Sequence, residues 1–120
     1  MSTLGTVVIV EDDFLIAAAH QCTCEDAGIE VLGICDTGEE AVETICRLKP
    51  TFALIDVRLA GVRDGVYVAS EIKAKGLDTV VIFATGSTEA NTLRKLNELQ
   101  PRRILRKPIE SEELKNSLLS

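Results

Sequence analysis

The sequence predicts one α/β domain built on a doubly wound parallel sheet. Its 120 residues suit a single domain, and five short runs rich in β-branched residues alternate with five helical patterns. The central runs, at residues 52–55 and 80–83, are apolar throughout rather than alternating. Such strands are buried on both faces, as happens when helices cover both sides of a parallel sheet.

The strands are expected at residues 6–10, 30–35, 52–57, 79–84 and 103–105. Five strand-helix units of about 24 residues each leave room only for short loops. The second helix opens with Thr37 and Glu40 at the spacing of a capping box, and the fifth has Glu112 and Glu113 in its first turn, where the helix dipole favours them. The helical residues expected to face the core are Leu15, Ala18, Ala19, Cys22, Ala41, Val42, Ile45, Cys46, Val66, Ala69, Ile72, Leu93, Leu96, Leu99, Leu114 and Leu118.

Composition excludes several classes of protein. The net charge of -6, from 13 basic and 19 acidic residues, has the wrong sign for nucleic-acid binding through phosphate contacts. The apolar runs are far shorter than the roughly 18 residues of a membrane span, and the N-terminus lacks the basic stretch of a signal peptide. We therefore expect a cytoplasmic protein that binds neither membrane nor nucleic acid.

The cysteines do not indicate a metal centre. Cys22, Cys24, Cys35 and Cys46 contain no C-x-x-C pair, and His20 is the one histidine of the chain. We expect the cysteines to be small buried apolar residues in a reducing compartment.

Polar side chains stand where the apolar strands end. Glu11, Asp12 and Asp13 follow the first strand, Asp56 ends the third, Thr85 follows the fourth, and Lys107 follows the fifth. In open α/β sheets, ligands bind outside the carboxyl ends of the strands, where the strand order reverses. The sequence thus places carboxylates, a hydroxyl and an ammonium around one crevice.

Most of these residues also have an ordinary structural explanation. Asp12 or Asp13 suits a helix cap, Thr85 suits a strand, and Lys107 before Pro108 suits a solvated turn. Asp56 is different, because an unpaired carboxylate at the end of a buried strand costs several kcal/mol. The combination of residues favours a functional site.

The acidic residues predict a magnesium site. Two carboxylates about 5 Å apart repel by roughly 3 kcal/mol at an effective dielectric constant near 20, so Glu11, Asp12 and Asp56 together favour a cation. Oxygen ligands without thiolate or imidazole suit Mg²⁺, which also accepts a phosphate oxygen. A carboxylate can attack phosphorus to form an acyl phosphate, with Lys107 and Thr85 contacting the phosphoryl oxygens.

The sequence resembles the receiver domain of two-component response regulators along essentially its whole length. The motifs that carry the resemblance are Val10-Glu-Asp-Asp13, Leu54-Ile-Asp56, Asp64-Gly65, Phe83-Ala-Thr85-Gly86 and Lys107-Pro108. The resemblance implies a flavodoxin-like (CheY-like) fold with strand order 2-1-3-4-5 and five helices. It implies Asp56 as phosphoacceptor, Thr85 as switch hydroxyl and Lys107 as phosphate-sensing base. Glu11 and Asp12 would be the acidic pair, with Asp12, Asp56 and the Arg58 carbonyl binding Mg²⁺, and the Lys107-Pro108 bond would be cis.

The sequence departs from the family pattern in the loop after the third strand and at the positions of the usual aromatic residues. Ala60 stands where the family usually has proline, and Asp64-Gly65 come one position late, so the loop after the third strand is one residue longer. Ile104 replaces the usual aromatic residue, and the Phe83-Ala-Thr-Gly86 run, which resembles a receiver subgroup found with certain alphaproteobacterial sensor kinases, lacks that subgroup's tyrosine. Tyr67, on the third helix, is the one tyrosine of the chain.

We interpret residues 1–120 as a single-domain receiver, a monomer or weak dimer. It would accept a phosphoryl group from a sensor histidine kinase on Asp56 and signal through protein contacts of its fourth helix, fifth strand and fifth helix. A domain excised from a longer regulator fits the same sequence. The alternatives are a pseudo-receiver that binds partners without phosphorylation and, less favoured, a Mg²⁺-dependent aspartyl phosphohydrolase. Nucleotide or flavin binding lacks its glycine-rich motif.

Overall fold

A computed structural model describes residues 4–119 and confirms the predicted α/β fold. Within those residues the chain forms five strands and five helices that alternate. The strands pair in parallel in the order β2-β1-β3-β4-β5, which is the order that the resemblance implies. The elements are β1 (Gly5–Val10), α1 (Phe14–Asp26), β2 (Ile29–Cys35), α2 (Gly38–Leu48), β3 (Phe52–Asp56), α3 (Gly65–Ala74), β4 (Val80–Thr85), α4 (Ala90–Glu98), β5 (Arg103–Arg106) and α5 (Ser111–Leu119).

Helices cover both faces of the sheet, as the apolar central strands predict. All five residues of β3 are buried. Alternate residues of β1 point to opposite faces, so that Val7 and Ile9 pack with α1 and α5, whereas Val8 and Val10 pack with α2, α3 and α4. Because β1 and β3 are paired at the centre of the sheet, their carboxyl ends are held rigidly side by side.

The strand boundaries differ from the expected ones by one residue. β3 ends at Asp56 rather than at residue 57, and β4 extends through Thr85. The backbones of Asp56 and Thr85 are therefore paired within the sheet, which fixes the direction of their side chains more firmly than a loop would.

The expected buried face of α1 is wrong. Leu15, Ala19 and Cys22 are exposed, and the helix instead buries the four residues Ala17, His20, Thr23 and Cys24. This helix carries apolar residues around most of its circumference, so apolar spacing alone does not identify the face. Packing against α5 selects a face that includes two polar residues, and Thr23 Oγ1 lies 3.4 Å from Ser111 Oγ at that contact.

The cysteines are only partly as expected. Cys24 and Cys35 are buried and Cys46 is half-buried, whereas Cys22 lies exposed on α1. Burial raises the pKa of the Cys24 thiol to about 12, so this residue stays a neutral apolar group. No helix within residues 4–119 is long and apolar enough to cross a membrane.

Candidate functional site

Four strand ends converge on one cleft. Glu11 directly follows β1, Asp56 ends β3, Thr85 ends β4, and Lys107 directly follows β5. Glu11, Asp56 and Thr85 are only 3%, 5% and 4% exposed. The cis peptide bond expected between Lys107 and Pro108 is present. The residues predicted from the strand ends thus form one polar group at the edge of the sheet.

The ammonium of Lys107 bridges the two buried carboxylates. Its Nζ lies 2.9 Å from Oδ2 of Asp56 and 3.4 Å from Oε1 of Glu11. Burial works against the charge on Lys107, but the contacts with Asp56 and Glu11 outweigh it, so the pKa of Lys107 is raised above its usual value. Lys107 therefore remains protonated at physiological pH and compensates negative charge in the cleft.

Glu11 has an unusual protonation equilibrium. Burial raises the pKa of its carboxyl group to about 7. The backbone N–H of Asp13 donates a hydrogen bond of 3.1 Å to Oε2 and lowers the pKa, whereas the neighbouring Asp56 raises it further. Even with the ammonium of Lys107 beside it, the Glu11 carboxyl group is thus only partly ionised near neutral pH.

A third carboxylate completes a group of oxygen ligands. One oxygen each of Glu11, Asp12 and Asp56 lies within 4.8 Å of the other two, and Asp12 is exposed to solvent. Carboxylate oxygens without nitrogen or sulfur ligands fit Mg²⁺, and the exposed position of Asp12 leaves room for the waters that Mg²⁺ retains. The residues present thus fit a magnesium ion.

The structure assigns different roles to the neighbouring residues Asp12 and Asp13. Asp13 caps α1, because its Oδ1 accepts hydrogen bonds from the backbone N–H groups of Leu15 and Ile16 at 3.0 and 3.2 Å. This leaves the solvent-exposed carboxylate of Asp12 available to the acidic group that it forms with Glu11 and Asp56. The helix-cap explanation thus holds for Asp13 and not for Asp12.

Backbone groups orient the acidic and hydroxyl side chains. The N–H of Arg58 donates to Oδ1 of Asp56 at 3.3 Å, so the Asp56 carboxylate is held by Arg58 on one oxygen and by Lys107 on the other. Oγ1 of Thr85 accepts a hydrogen bond of 3.0 Å from the N–H of Ser87. The sequence predicted no role for the backbone N–H donors of Asp13, Arg58 and Ser87, because residue types do not show which backbone N–H groups point into a site.

The cleft extends well beyond the carboxylates. Its volume is about 910 Å³, and it reaches α4 at Thr92 and Lys95. Ile104, which stands where the family usually has an aromatic residue, is half-buried on β5. Tyr67 lies on α3 as expected, with the guanidinium of Arg63 over its ring at 4.5 Å.

The sequence model of the response regulator receiver domain family matches residues 7–119 of the chain. The chain belongs to the response regulator receiver domain family. Curated relatives include the "Probable C4-dicarboxylate response regulator DctR" of Priestia megaterium, 28% identical over 114 residues that make up 94% of this chain and 50% of that protein. The transcriptional regulatory protein PdtaR of Mycobacterium tuberculosis is 35% identical over 81 residues, 68% of this chain and 39% of its own length. This receiver domain therefore spans about half the length, or less, of these relatives.

Solved structures agree with this assignment. The signal receiver domain of a modulated diguanylate cyclase from Desulfovibrio desulfuricans superposes with a TM-score of 0.87 and 38% identity, over 97% of this chain and 91% of that one. A DNA-binding response regulator of the LuxR family from Staphylococcus aureus gives a TM-score of 0.90 at 25% identity, with 97% of each chain covered. The fold and family of this receiver domain are thus supported by sequence and by shape.

Proposed function

We propose that this receiver domain accepts a phosphoryl group on Asp56 from a sensor histidine kinase in the cytoplasm, with Mg²⁺ as cofactor. The observation that carries the proposal is the buried Asp56 carboxylate, held between Lys107 and the acidic residues Glu11 and Asp12. This arrangement combines a nucleophilic oxygen, a fixed cation and ligands for a metal ion. Residues 1–120 would act as one receiver unit.

The chain's own residues supply orientation and charge compensation. An oxygen of Asp56 attacks the phosphorus of the donor's phosphohistidine, the P–N bond breaks, and the imidazole leaves with the electron pair and takes up a proton. Lys107 then pairs with the phosphoryl oxygens of the acyl phosphate, and the Thr85 hydroxyl donates to one of them. Thr85 is suited to this role because the Ser87 N–H occupies a lone pair of its oxygen and holds the side chain in place.

Asp12, Asp56 and the carbonyl of Arg58 would hold the magnesium ion, with Glu11 beside it. When bound, Mg²⁺ would neutralise charge that develops on the phosphoryl oxygens. Glu11 is positioned by the Asp13 N–H, and Asp12 lies at the solvent side of the group. The protein thus contributes a rigid set of oxygen ligands at the sheet edge.

The kinase would dock over the start of α1. Phe14 and Leu15 are 82% and 77% exposed and follow the acidic residues Glu11 to Asp13 directly in the chain. A donor whose phosphohistidine reaches Asp56 has to approach the carboxyl end of the sheet, where α1 begins at Phe14. The apolar surface of Phe14 and Leu15 would contribute to binding when it is covered.

Signalling would proceed through the surface of α4, β5 and α5, in a monomer or weak dimer. The cleft extends from Asp56 to Thr92 and Lys95 of α4, so a phosphoryl group on Asp56 would change the surroundings of that helix directly. Ile104 on β5 replaces the aromatic residue that usually reports phosphorylation in the family. Another element must therefore carry the response in this receiver.

The second candidate function is that of a pseudo-receiver, which binds partners without phosphorylation. The observation that favours it is Ile104, which leaves β5 without the usual aromatic side chain. The complete set of Asp56, Thr85 and Lys107 in one cleft favours phosphorylation instead.

Intact-mass spectrometry after incubation with acetyl phosphate and Mg²⁺ distinguishes the two functions. We expect one phosphoryl adduct on the unmodified protein and none on Asp56→Asn. The matched control is Asp78→Asn, which changes an exposed aspartate outside the cleft and should keep the adduct. An unmodified protein without an adduct supports the pseudo-receiver.

A further inference from the structure

The loop between β3 and α3 borders the proposed reaction site and bulges outward at its tip. It comprises residues 57–64, one residue more than the family pattern. At its tip, Gly61 has a φ of +88°, which favours glycine, and a Cβ there would have nothing within 4 Å. The neighbouring Val62 is 96% exposed. The extra length is thus accommodated in an outward bulge at residues 61 and 62.

The loop is fixed on both sides of this bulge by the turn that begins α2. Before the bulge, Ala60 forms an isolated parallel backbone bridge with Thr37. After it, Arg63 lies against Gly38, so closely that a Cβ on Gly38 would sit 2.8 Å from Cβ of Arg63 and 2.9 Å from its carbonyl oxygen. We call this pair, Thr37 and Gly38, the α2 turn.

The fixed loop leads directly into the phosphoacceptor. The N–H of Arg58 bonds Oδ1 of Asp56, and the N–H of Gly65 donates to the carbonyl of Val57 at 2.8 Å, which closes the loop at its base. A Cβ on Gly65 would overlap the backbone carbonyl oxygen of Asp56, so α3 begins in direct contact with the end of β3. Arg58 follows Val57 and lies inside this closed loop, so its backbone belongs to the segment that the loop contacts restrain.

We propose that the α2 turn is a positioning element of the reaction site: by holding the loop at Ala60 and Arg63, it keeps the backbone of Arg58 where its N–H orients Asp56 and its carbonyl can bind the metal. This inference rests on the proposed function for the role of that carbonyl. A loop with an additional residue has more conformations available, and the two contacts with the α2 turn restrict them. Neither Thr37 nor Gly38 contacts the reacting atoms.

Gly38→Ala is the variant that tests this role. The added Cβ cannot be accommodated by a flexible side-chain end, because one of its two close neighbours is the backbone carbonyl oxygen of Arg63. Alanine is a better helix former than glycine, so α2 itself is not weakened. The matched control is Gly33→Ala on β2, where the added Cβ would lie 3.8 Å from Cγ2 of Thr44, an ordinary contact.

Three measurements read the effect. Hydrogen exchange of the Arg58 amide in the metal-free protein should be faster in Gly38→Ala than in the parent and in Gly33→Ala. The dissociation constant for Mg²⁺ should rise about tenfold, as for other residues that orient metal ligands. The phosphorylation rate with acetyl phosphate should be lower at limiting Mg²⁺ and equal to the parent's at saturating Mg²⁺. A purely structural role would instead lower the thermal midpoint and leave the Mg²⁺ requirement unchanged.

The unmodified protein provides a test that does not depend on the folding of a variant. Its Arg58 amide should exchange more slowly than those of Gly61 and Val62, and equal exchange at the three positions would overturn the proposal. Unchanged Mg²⁺ affinity in a folded Gly38→Ala would also overturn it. If the parent binds no Mg²⁺ and accepts no phosphoryl group, the proposed function fails, whereas slow Arg58 exchange that Gly38→Ala accelerates still supports the positioning of the loop.

Discussion

Replacement of Lys107 by methionine should destabilise the metal-free protein substantially. Its ammonium contacts Asp56 at 2.9 Å and Glu11 at 3.4 Å, and at an effective dielectric constant near 20 these pairs are worth about 6 and about 5 kcal/mol before desolvation. Desolvation of the ammonium and the 27% exposure of the side chain offset much of this. Because removal of one partner leaves buried charge uncompensated, we expect a net loss of about 2 to 4 kcal/mol.

Urea unfolding at pH 8 in the presence of a chelator, followed by circular dichroism, measures this loss. Methionine is unbranched and only one atom shorter than lysine, and Lys73→Met, at an exposed position of α3, is the matched control. The raised pKa of Glu11, about 7 against an ordinary 4.5, contributes stability below pH 4.5 that is lost as the pH rises through 7. The difference in unfolding free energy between the parent and Lys107→Met should therefore be smaller at pH 6, where Glu11 is largely protonated. Equal unfolding free energies of the two variants at pH 8 would refute the reasoning.

Three further predictions concern the metal, the buried histidine and the docking surface. Mg²⁺ affinity measured by calorimetry should fall on going from pH 8 to pH 6, because protons compete for Glu11; equal affinities would contradict the raised pKa. Burial lowers the pKa of His20 from its usual 6.5, so the parent loses stability as the pH falls below that value while the unfolded chain takes up the proton. His20→Leu should remove this part of the acid sensitivity. If the urea midpoints of His20→Leu and the parent change with pH in the same way from pH 5 to 8, His20 does not contribute to the acid sensitivity. Phe14→Ser with Leu15→Ser should slow phosphotransfer from the cognate kinase about tenfold, equivalent to roughly 1.4 kcal/mol of lost apolar burial, and leave the rate with acetyl phosphate unchanged. An equal loss of rate with both donors would argue against docking at these residues.

The sheet and its polar edge could be predicted from the sequence because their signals are local. Continuous apolar runs identify β3 and β4 as buried strands, and the first polar residue after each run marks the edge at which the carboxyl ends meet. Asp56 and Thr85 follow this rule directly. Parallel pairing then brings together residues as distant in the chain as Glu11 and Lys107, which the structure places 3.4 Å apart.

Other features depend on tertiary contacts and left no such signal. The predicted buried face of α1 is wrong because Leu15 and Cys22 fit an apolar stripe as well as Ala17 and Cys24 do. The contact of Gly38 with Arg63 joins the first residue of α2 to the loop after β3. The sequence shows only a glycine that follows a capping threonine, and nothing in that pattern indicates a distant neighbour. The identity of the α1 cap, Asp13 rather than Asp12, likewise depends on how the backbone turns after β1.

The central claim is that Asp56 is a phosphoacceptor served by Lys107, Thr85 and a metal held by the acidic residues. A crystal structure with Mg²⁺ and beryllofluoride, a mimic of the phosphoryl group, tests it most directly. The account predicts beryllium bonded to an Asp56 oxygen, Mg²⁺ bound by Asp12 and Asp56, and Lys107 turned from the carboxylates toward fluorine. A structure in which Lys107 still bridges Glu11 and Asp56, with neither ion bound, would contradict it.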